Sequence, residues 1–330
     1  MKVLHYYPAP LPNGKYLNPY SIYYRDALSK YFKVIDTGTA RNFLVPILLI
    51  WSALFRANIF LFNWIENLSF KRVRFVQFLL IMLCFKIIKW KRKKLVWMFH
   101  NMHPHAGEST YSERIMNYLF RHADLIIAHS NEAKRYAQNK TNHKVIYRCH
   151  PVPPICKKDV TADHVTYDIL IWGTILPYKG VVEFLSFLKK NHSKLKVHVV
   201  GKCYEDSIVK SIEKLVSNNI SYSNKHAEMS ELQELIQQSR YVVFPYIGTS
   251  ISSSGALIDT IARGGNCIGP NKGAFKDLAE VGCCLVYDNY EHLLNIIDNH
   301  RHVAAKNVND FLEKNTWENY VLSILPDLLN

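Results

Sequence analysis

The chain has 330 residues, 48% of them hydrophobic, with no low-complexity tract or fixed-period repeat, which excludes a disordered chain and a solenoid and suits two domains of roughly 150 residues each. Its net charge of +14 is lopsided: residues 1–150 hold 23 Lys/Arg and 7 Asp/Glu, whereas residues 151–330 hold 18 and 20. A one-sided field excludes an evenly solvated surface and implies a polyanion, membrane or nucleic acid, facing the first half.

In chain order, short β-branched or aromatic runs alternate with helix-length segments, the pattern of parallel sheets covered by helices, so both halves are predicted as α/β. Strands are predicted at 2–7, 33–36, 59–64, 95–100, 125–129 and 144–149, with helices near 19–31, 43–55, 70–92, 108–122 and 131–138. Around Pro151, Pro153 and Pro154 the periodicity is lost until residue 167, as in an interdomain linker. Strands then follow at 168–172, 196–200, 220–222, 241–245, 266–268 and 284–287, helices near 180–190, 205–217, 229–238, 254–263 and 274–280, and two or three tail helices over 289–329. The expected division is a first domain 1–150, a linker 151–167 and a second domain 168–330.

Two apolar segments, 43–55 and 75–85, are stopped by Arg56 and Lys86. Both fall short of the about 20 residues a spanning helix needs. Between Arg41 and Lys94 there are 11 basic residues against one acid, Glu66. Such helices either lie in a lipid interface or form core with a solvated basic rim. The seven cysteines (84, 149, 156, 203, 267, 283, 284) form no CxxC pair and no cleavable signal peptide is legible, so a reducing cytoplasm is expected, with Cys267, Cys283 and Cys284 as small core residues.

Three stretches can carry chemistry. Trp172-Gly173-Thr174-Ile175-Leu176-Pro177-Tyr178-Lys179-Gly180 takes a strand into a loop with a lysine beside a glycine where a helix begins; it reads either as a diphosphate contact or as a plain turn. Gly248-Thr249-Ser250-Ile251-Ser252-Ser253-Ser254-Gly255 precedes a helix, so its amides can approach phosphate oxygens; the other reading is a flexible serine loop. Asp259, one turn into that helix, suits ribose hydroxyls or the helix dipole alone. In the first half, His100-Asn101-Met102-His103-Pro104-His105 ends a strand where open α/β sheets bind ligands. Its spacing is poor for a metal, because in an extended run His103 and His105 face away from His100, so hydrogen bonding to a sugar is the better reading. Trp64 and Glu66, after another strand, suit a stacking platform and an acceptor or base.

Taken together and in this order, these features resemble the GT-B glycosyltransferases, above all the large retaining group classed as family 4, over nearly the whole chain. The resemblance is carried by His100-Asn101, by Ala123-Asp124-Leu125-Ile126-Ile127-Ala128-His129-Ser130, by Gly173 with Lys179-Gly180, by Val199-Val200-Gly201, by Phe244-Pro245 and by Arg263-Gly264. It implies two Rossmann-like domains facing across a cleft, C-terminal helices that can cross back to the first domain, and a nucleotide sugar held in the second. It further implies that Lys179 contacts the donor diphosphate and that Ser252, Ser253, Ser254 and Gly255 hold nucleotide and sugar. Two departures stand out: Thr174 replaces the arginine that often follows the loop glycine, and the usual pair of glutamates eight positions apart is reduced to Asp259 at the second position, with Ile251 at the first.

The expected function is a hexosyltransferase moving a sugar from a UDP- or GDP-sugar to a saccharide acceptor. A lipid-linked acceptor of bacterial capsule, exopolysaccharide or O-antigen assembly is expected, on the inner face of the plasma membrane. Retention follows from the resemblance alone. Lys179 and His100 are the catalytic candidates; Gly173, Thr174, Lys179, Ser252–Ser254, Gly255 and Asp259 the donor site; Asn13, Gly14, Trp64, Glu66, His103 and His105 the acceptor cleft. No cofactor, metal or nucleic acid is expected, and anionic membrane is the expected partner of 41–94. Competing readings are an epimerase acting on a free nucleotide sugar, a nucleic-acid-binding protein and an inactive scaffold.

Overall fold

The structure, a computed structural model, describes residues 1–8, 19–36, 50–51, 53–67, 73–100, 102, 110–154, 165–248 and 252–330. Its contacts divide the chain into two compact units, Met1–His150 with Trp317–Asn330, and Pro151–Thr316.

The first unit is built on a parallel sheet of β1 (Val3–Tyr7), β2 (Lys33–Asp36), β3 (Ile59–Asn63), β4 (Lys94–Phe99), β5 (Leu125–Ala128) and β6 (Lys144–Tyr147), in the order β2-β1-β3-β4-β5-β6. Strands β3 and β5 are buried at every position, so apart from the final Asn63 of β3 they read as unbroken apolar runs. Along β4, Leu95, Trp97 and Phe99 enter one core layer, whereas Val96 and Met98 enter the other. The first layer includes α2 (Arg74–Trp90), α3 (Thr110–His122) and α4 (Asn131–Gln138). The second includes α1 (Pro19–Ser29) and the last helix, α12 (Trp317–Leu329).

That last helix departs from the expected division at 168–330 and takes the path back to the first domain that the resemblance implied. Its buried residues Trp317, Tyr320, Val321, Ile324 and Leu328 complete the layer of Tyr20, Tyr24 and Leu28, so the chain returns to the first unit. A sheet with a helix on one face only would leave that apolar layer in water.

The second unit orders its parallel strands as β12-β11-β10-β7-β8-β9, with β7 (Tyr167–Trp172), β8 (Val197–Val200), β9 (Ile220–Ser223), β10 (Ser239–Val243), β11 (Cys267–Pro270) and β12 (Leu285–Tyr287). Strand order reverses between β7 and β10, the switch point at which doubly wound sheets open a crevice at their carboxyl ends. Helices α5 (Val181–Lys190), α6 (Asp206–Glu213), α7 (Met229–Gln237), α8 (Gly255–Ala262), α9 (Gly273–Glu280), α10 (Tyr290–Asp298) and α11 (Ala305–Lys314) complete it. The chain enters and leaves this unit side by side, since Val152 pairs with Thr316 and its N–H donates to the Asn315 carbonyl at 2.9 Å. Among the described residues no helix is long and apolar enough to cross a membrane.

Candidate functional site

The loops at the switch point of the second sheet are held together by glycines that no other residue can replace. Strand β7 ends at Trp172, and Gly173 takes φ +98. A side chain at Gly201, after β8, would meet the Gly173 carbonyl oxygen at 2.0 Å, and one at Gly180, itself at φ +62, would meet the Pro245 carbonyl oxygen at 2.2 Å. The N–H groups of Ile247 and Gly248 donate to the Tyr178 carbonyl at 3.0 and 3.1 Å, so the loops after β7 and β10 are stitched into one surface. Trp172 Nε1 donates to Thr260 Oγ1 at 2.8 Å and fixes α8 against the end of β7.

Lys179, the last residue of a single 3-10 turn (Pro177–Lys179), points back over this surface. A Cβ at Gly173 would lie 3.3 Å from Lys179 Nζ and 4.0 Å from the Ala256 Cβ, so a hollow one methyl wide is bounded by an ammonium and the first turn of α8. The ammonium also lies 5.6 Å from the centre of the Tyr246 ring. No carboxylate among the described residues pairs with it, and burial pushes its pKa down. Around it stand other open valences. Ser254 caps α8 by accepting from the Leu257 N–H at 3.2 Å, which leaves the amides of Gly255 and Ala256 for an outside acceptor. Ser252 is 1% exposed and its hydroxyl finds no partner among the described residues. Thr174 and Ser253 are half-buried beside these groups, and Gly255 faces open space. Asp259 is already paired, its Oδ1 3.0 Å from Arg263 Nη1; burial still holds its carboxyl above the usual range.

In the first unit the C-terminal edge of the sheet carries a cluster of rings. His100 Nε2 lies 3.1 Å from Asn63 Oδ1, and its ring stacks on Trp64 at 4.2 Å and 17°. Trp64 takes φ +50, a conformation L residues avoid, and β3 therefore stops at Asn63 rather than at Trp64. Tyr20, at 5.2 Å edge-on to His100, bonds His129 Nε2 at 2.9 Å. Because His129 Nδ1 faces the Arg148 carbonyl at 2.9 Å, that nitrogen carries the proton and Nε2 accepts from the Tyr20 phenol. Burial keeps the imidazole neutral, its pKa pushed down to about 3.

Glu66 is apart from this cluster. Its Oε2 accepts from Trp97 Nε1 at 3.3 Å within the other core layer, Oε1 finds no partner among the described residues, and burial pushes its carboxyl up to about 7. Asn13, Gly14, His103 and His105 lie outside the described residues. Among those described, no three His, Cys, Asp or Glu side chains gather as a metal site would require.

Several members of these clusters are absent from the sequence reading. Tyr246, Thr260 and Ala256 of the second unit, and Tyr20, Asn63 and Trp317 of the first, reach their sites through contacts far apart in the chain. The one local signal is the Phe-Pro-Tyr run that carries Tyr246 just past β10.

No protein-family model matches the chain, and no curated protein does either. Solved structures do. HepE of Anabaena, solved with UDP and glucose, superposes with a TM-score of 0.66 at 14% identity, over 99% of this chain and 100% of its own. A glycosyltransferase from Rickettsia africae gives 0.64 at 14% identity, over 100% and 98%. The N-terminal domain of trehalose-6-phosphate phosphatase from Candida albicans gives 0.65 at 10% identity, over 99% and 96%. The fold is the GT-B glycosyltransferase fold.

Proposed function

We propose that this chain is a glycosyltransferase that takes a nucleoside-diphosphate sugar in its second unit and a saccharide acceptor in its first. The observation that carries this reading is the Lys179 ammonium, half-buried with no carboxylate partner among the described residues, beside Gly173 and the open amides of Gly255 and Ala256. An unpaired cation held out of water is costly until an anion joins it. The absence of a side chain at Gly173 leaves the space beside the ammonium clear, next to the start of α8, and a helix N-terminus favours anions. Charge develops on the departing diphosphate as the bond from the anomeric carbon to its phosphate oxygen breaks and the bond to the acceptor oxygen forms, and the acceptor hydroxyl's proton passes to a departing phosphate oxygen. Lys179 and the two amides stabilise that charge as preorganised donors. Gly173, Thr174, Ser252, Ser253 and Ser254 line the diphosphate, and the free Oδ2 of Asp259 meets ribose hydroxyls. With Thr174 in place of an arginine, Lys179 is the main side-chain cation for the leaving group.

The finer reading follows from the sequence. The donor is a UDP- or GDP-sugar, transfer retains configuration, and no metal is needed for the leaving group. The acceptor is a lipid-linked saccharide of a bacterial surface polysaccharide, positioned by His100 and Trp64, and the enzyme works as a peripheral protein on the cytoplasmic face of the plasma membrane. A thermal-shift screen of UDP, GDP, CMP and their sugars tests the core of this. A nucleoside diphosphate present at 100 times its Kd stabilises by about 2.7 kcal/mol. A wild-type protein indifferent to every nucleotide would refute the reading.

A further inference from the structure

Helix α2 is apolar on both sides. Its 17 residues extend about 25 Å. Gln77, Ile81, Cys84, Phe85 and Ile88 are buried on the sheet, as a surface helix requires. Its exposed positions are Phe75, Val76, Leu79, Leu83, Lys86 and Trp90. At ~100° per residue these fall within one arc of about 100°, where a surface helix ordinarily carries polar side chains. Trp90 is 79% exposed, and nearby Phe55 is 76% exposed. Lys91 joins them, its Nζ 4.5 Å from the Phe55 ring centre and 5.4 Å from that of Trp90. A contiguous exposed apolar stripe marks a docking surface rather than ordinary scatter.

What covers it is indicated by charge. At the C-terminal end of α2 an open cavity of about 650 Å³ is lined by Lys89, Arg92, Lys93, Lys94 and Lys144. Its two side-chain carboxylates are already used, Asp124 by Lys89 at 2.6 Å and Asp327 by Lys144, and Asn330 also lines it. Arg92 and Lys93 have no carboxylate partner among the described residues. Burial lowers the pKa of Lys94, Asp124 and Asp327 draw it up, and Lys2 and Lys144 beside it push it down. An apolar stripe ending in tryptophan and lysine, continued by a basic cavity, is the chemistry of a bilayer interface: acyl chains under the stripe, ring and ammonium at the headgroup level, anionic headgroups in the cavity.

We infer that the first unit docks on an anionic lipid surface through the outer face of α2, with the Arg92–Lys93 cavity taking a lipid phosphate. This deepens the membrane-side reading given above and rests on it only for its purpose. Vesicle flotation tests it with whole protein on phosphatidylcholine alone and on phosphatidylcholine mixed with phosphatidylglycerol. Wild type floats with the mixed vesicles in preference to the neutral ones. Arg92→Gln with Lys93→Gln lowers partition onto the mixed vesicles roughly 30-fold, at about fivefold per basic residue near an anionic leaflet. Leu79→Glu with Leu83→Glu lowers partition at least tenfold, on the order of the loss of two inserted leucines. Both variants keep the wild-type Tm and the wild-type Tm shift with UDP or GDP, so loss of lipid binding is distinguished from unfolding and from failure of the donor reading. The docking inference is overturned if wild type shows no preference for anionic vesicles, if the glutamate pair floats like wild type, or if that pair splits a dimer while vesicle binding persists.

Discussion

Lys179 is a cation that meets no carboxylate among the described residues, and its two effects on the protein have opposite signs. With substrate present it neutralises the leaving group, so Lys179→Met is expected to lower transfer at least ~100-fold, the scale of losing one preorganised contact to developing charge. In the free protein burial lowers its pKa, so the unfolded chain keeps the proton to higher pH than the folded one. The charge therefore weakens the fold below its folded pKa, and the penalty is relieved as pH rises toward the ordinary value. Lys179→Met should raise the Tm of free protein while abolishing the shift caused by nucleoside diphosphates; a lower Tm with normal turnover would remove the lysine from this role. Glu66 titrates in the reverse sense. Its folded pKa of about 7 lies above its ordinary 4.5, so its contribution is full below pH 4.5 and is lost as pH rises to about 7. The buried imidazoles of His5 and His129, pushed down to about 3 from 6.5, contribute stability that is lost as pH falls across that interval. Each such group contributes a slope of about 1.4 kcal/mol per pH unit within its own window. Between pH 4.5 and 6.5 Glu66 thus cancels one histidine, and Glu66→Gln should steepen the acid loss there by about 1.4 kcal/mol per pH unit. Urea unfolding at intervals of pH measures that slope, and parallel curves for variant and wild type would show that Glu66 does not titrate in this window.

Among the elements, the loops after β7 and β10 depend on a backbone approach that only glycine allows. Gly180→Ala places a methyl 2.2 Å from the Pro245 carbonyl oxygen at φ +62. Left-handed strain alone costs about 1–2 kcal/mol, so the variant should lose about 2 kcal/mol or more in denaturant unfolding. It should also bind nucleotide more weakly, because the loop that carries Lys179 must shift. Unchanged unfolding and binding would mean that the two loops move apart freely. Sequence made these loops visible through their glycines and hydroxyls, and made most strands visible through short apolar runs such as Ile59–Phe62 of β3 and the whole of β5. The return of the tail to the first unit came from the family resemblance, not from the residues of the tail themselves. An amphipathic helix such as α12 carries a face but no address, and its partners Tyr20 and Tyr24 lie about 300 residues away in the chain. The Trp172 to Thr260 bond, 88 residues apart, was hidden for the same reason. The apolar run of α2 left the lipid interface and the core as open readings, since a run apolar all round looks like either until its exposed side is known.

At the scale of the whole molecule, the second unit is an insertion into the first. The first unit is assembled from Met1–His150 and Trp317–Asn330, and its two cut ends lie together, with the His150 and Trp317 rings 6.1 Å apart. The ends of the second unit are equally close, joined by the Val152–Thr316 bridge. Units whose termini meet can be separated or rejoined without breaking a core. Residues 151–316 alone are therefore expected to fold and to bind the nucleoside diphosphate within about threefold of the whole protein's Kd, because Lys179, the Gly173 hollow and α8 all belong to that unit. Residues 1–150 alone should not fold. Without α12 they expose the layer filled by Trp317, Tyr320, Val321, Ile324 and Leu328, and five large side chains at ~1.5–3 kcal/mol each approach the ~5–15 kcal/mol that holds a domain together. Linking His150 to Trp317 through a short Gly-Ser segment restores that layer and should give a cooperatively melting first unit that binds no nucleotide. Calorimetry and nucleotide titration on the three fragments read the outcome. A cooperative transition in 1–150 without α12, or nucleotide bound by the linked first unit, would show that the tail or the donor loops have been assigned to the wrong body.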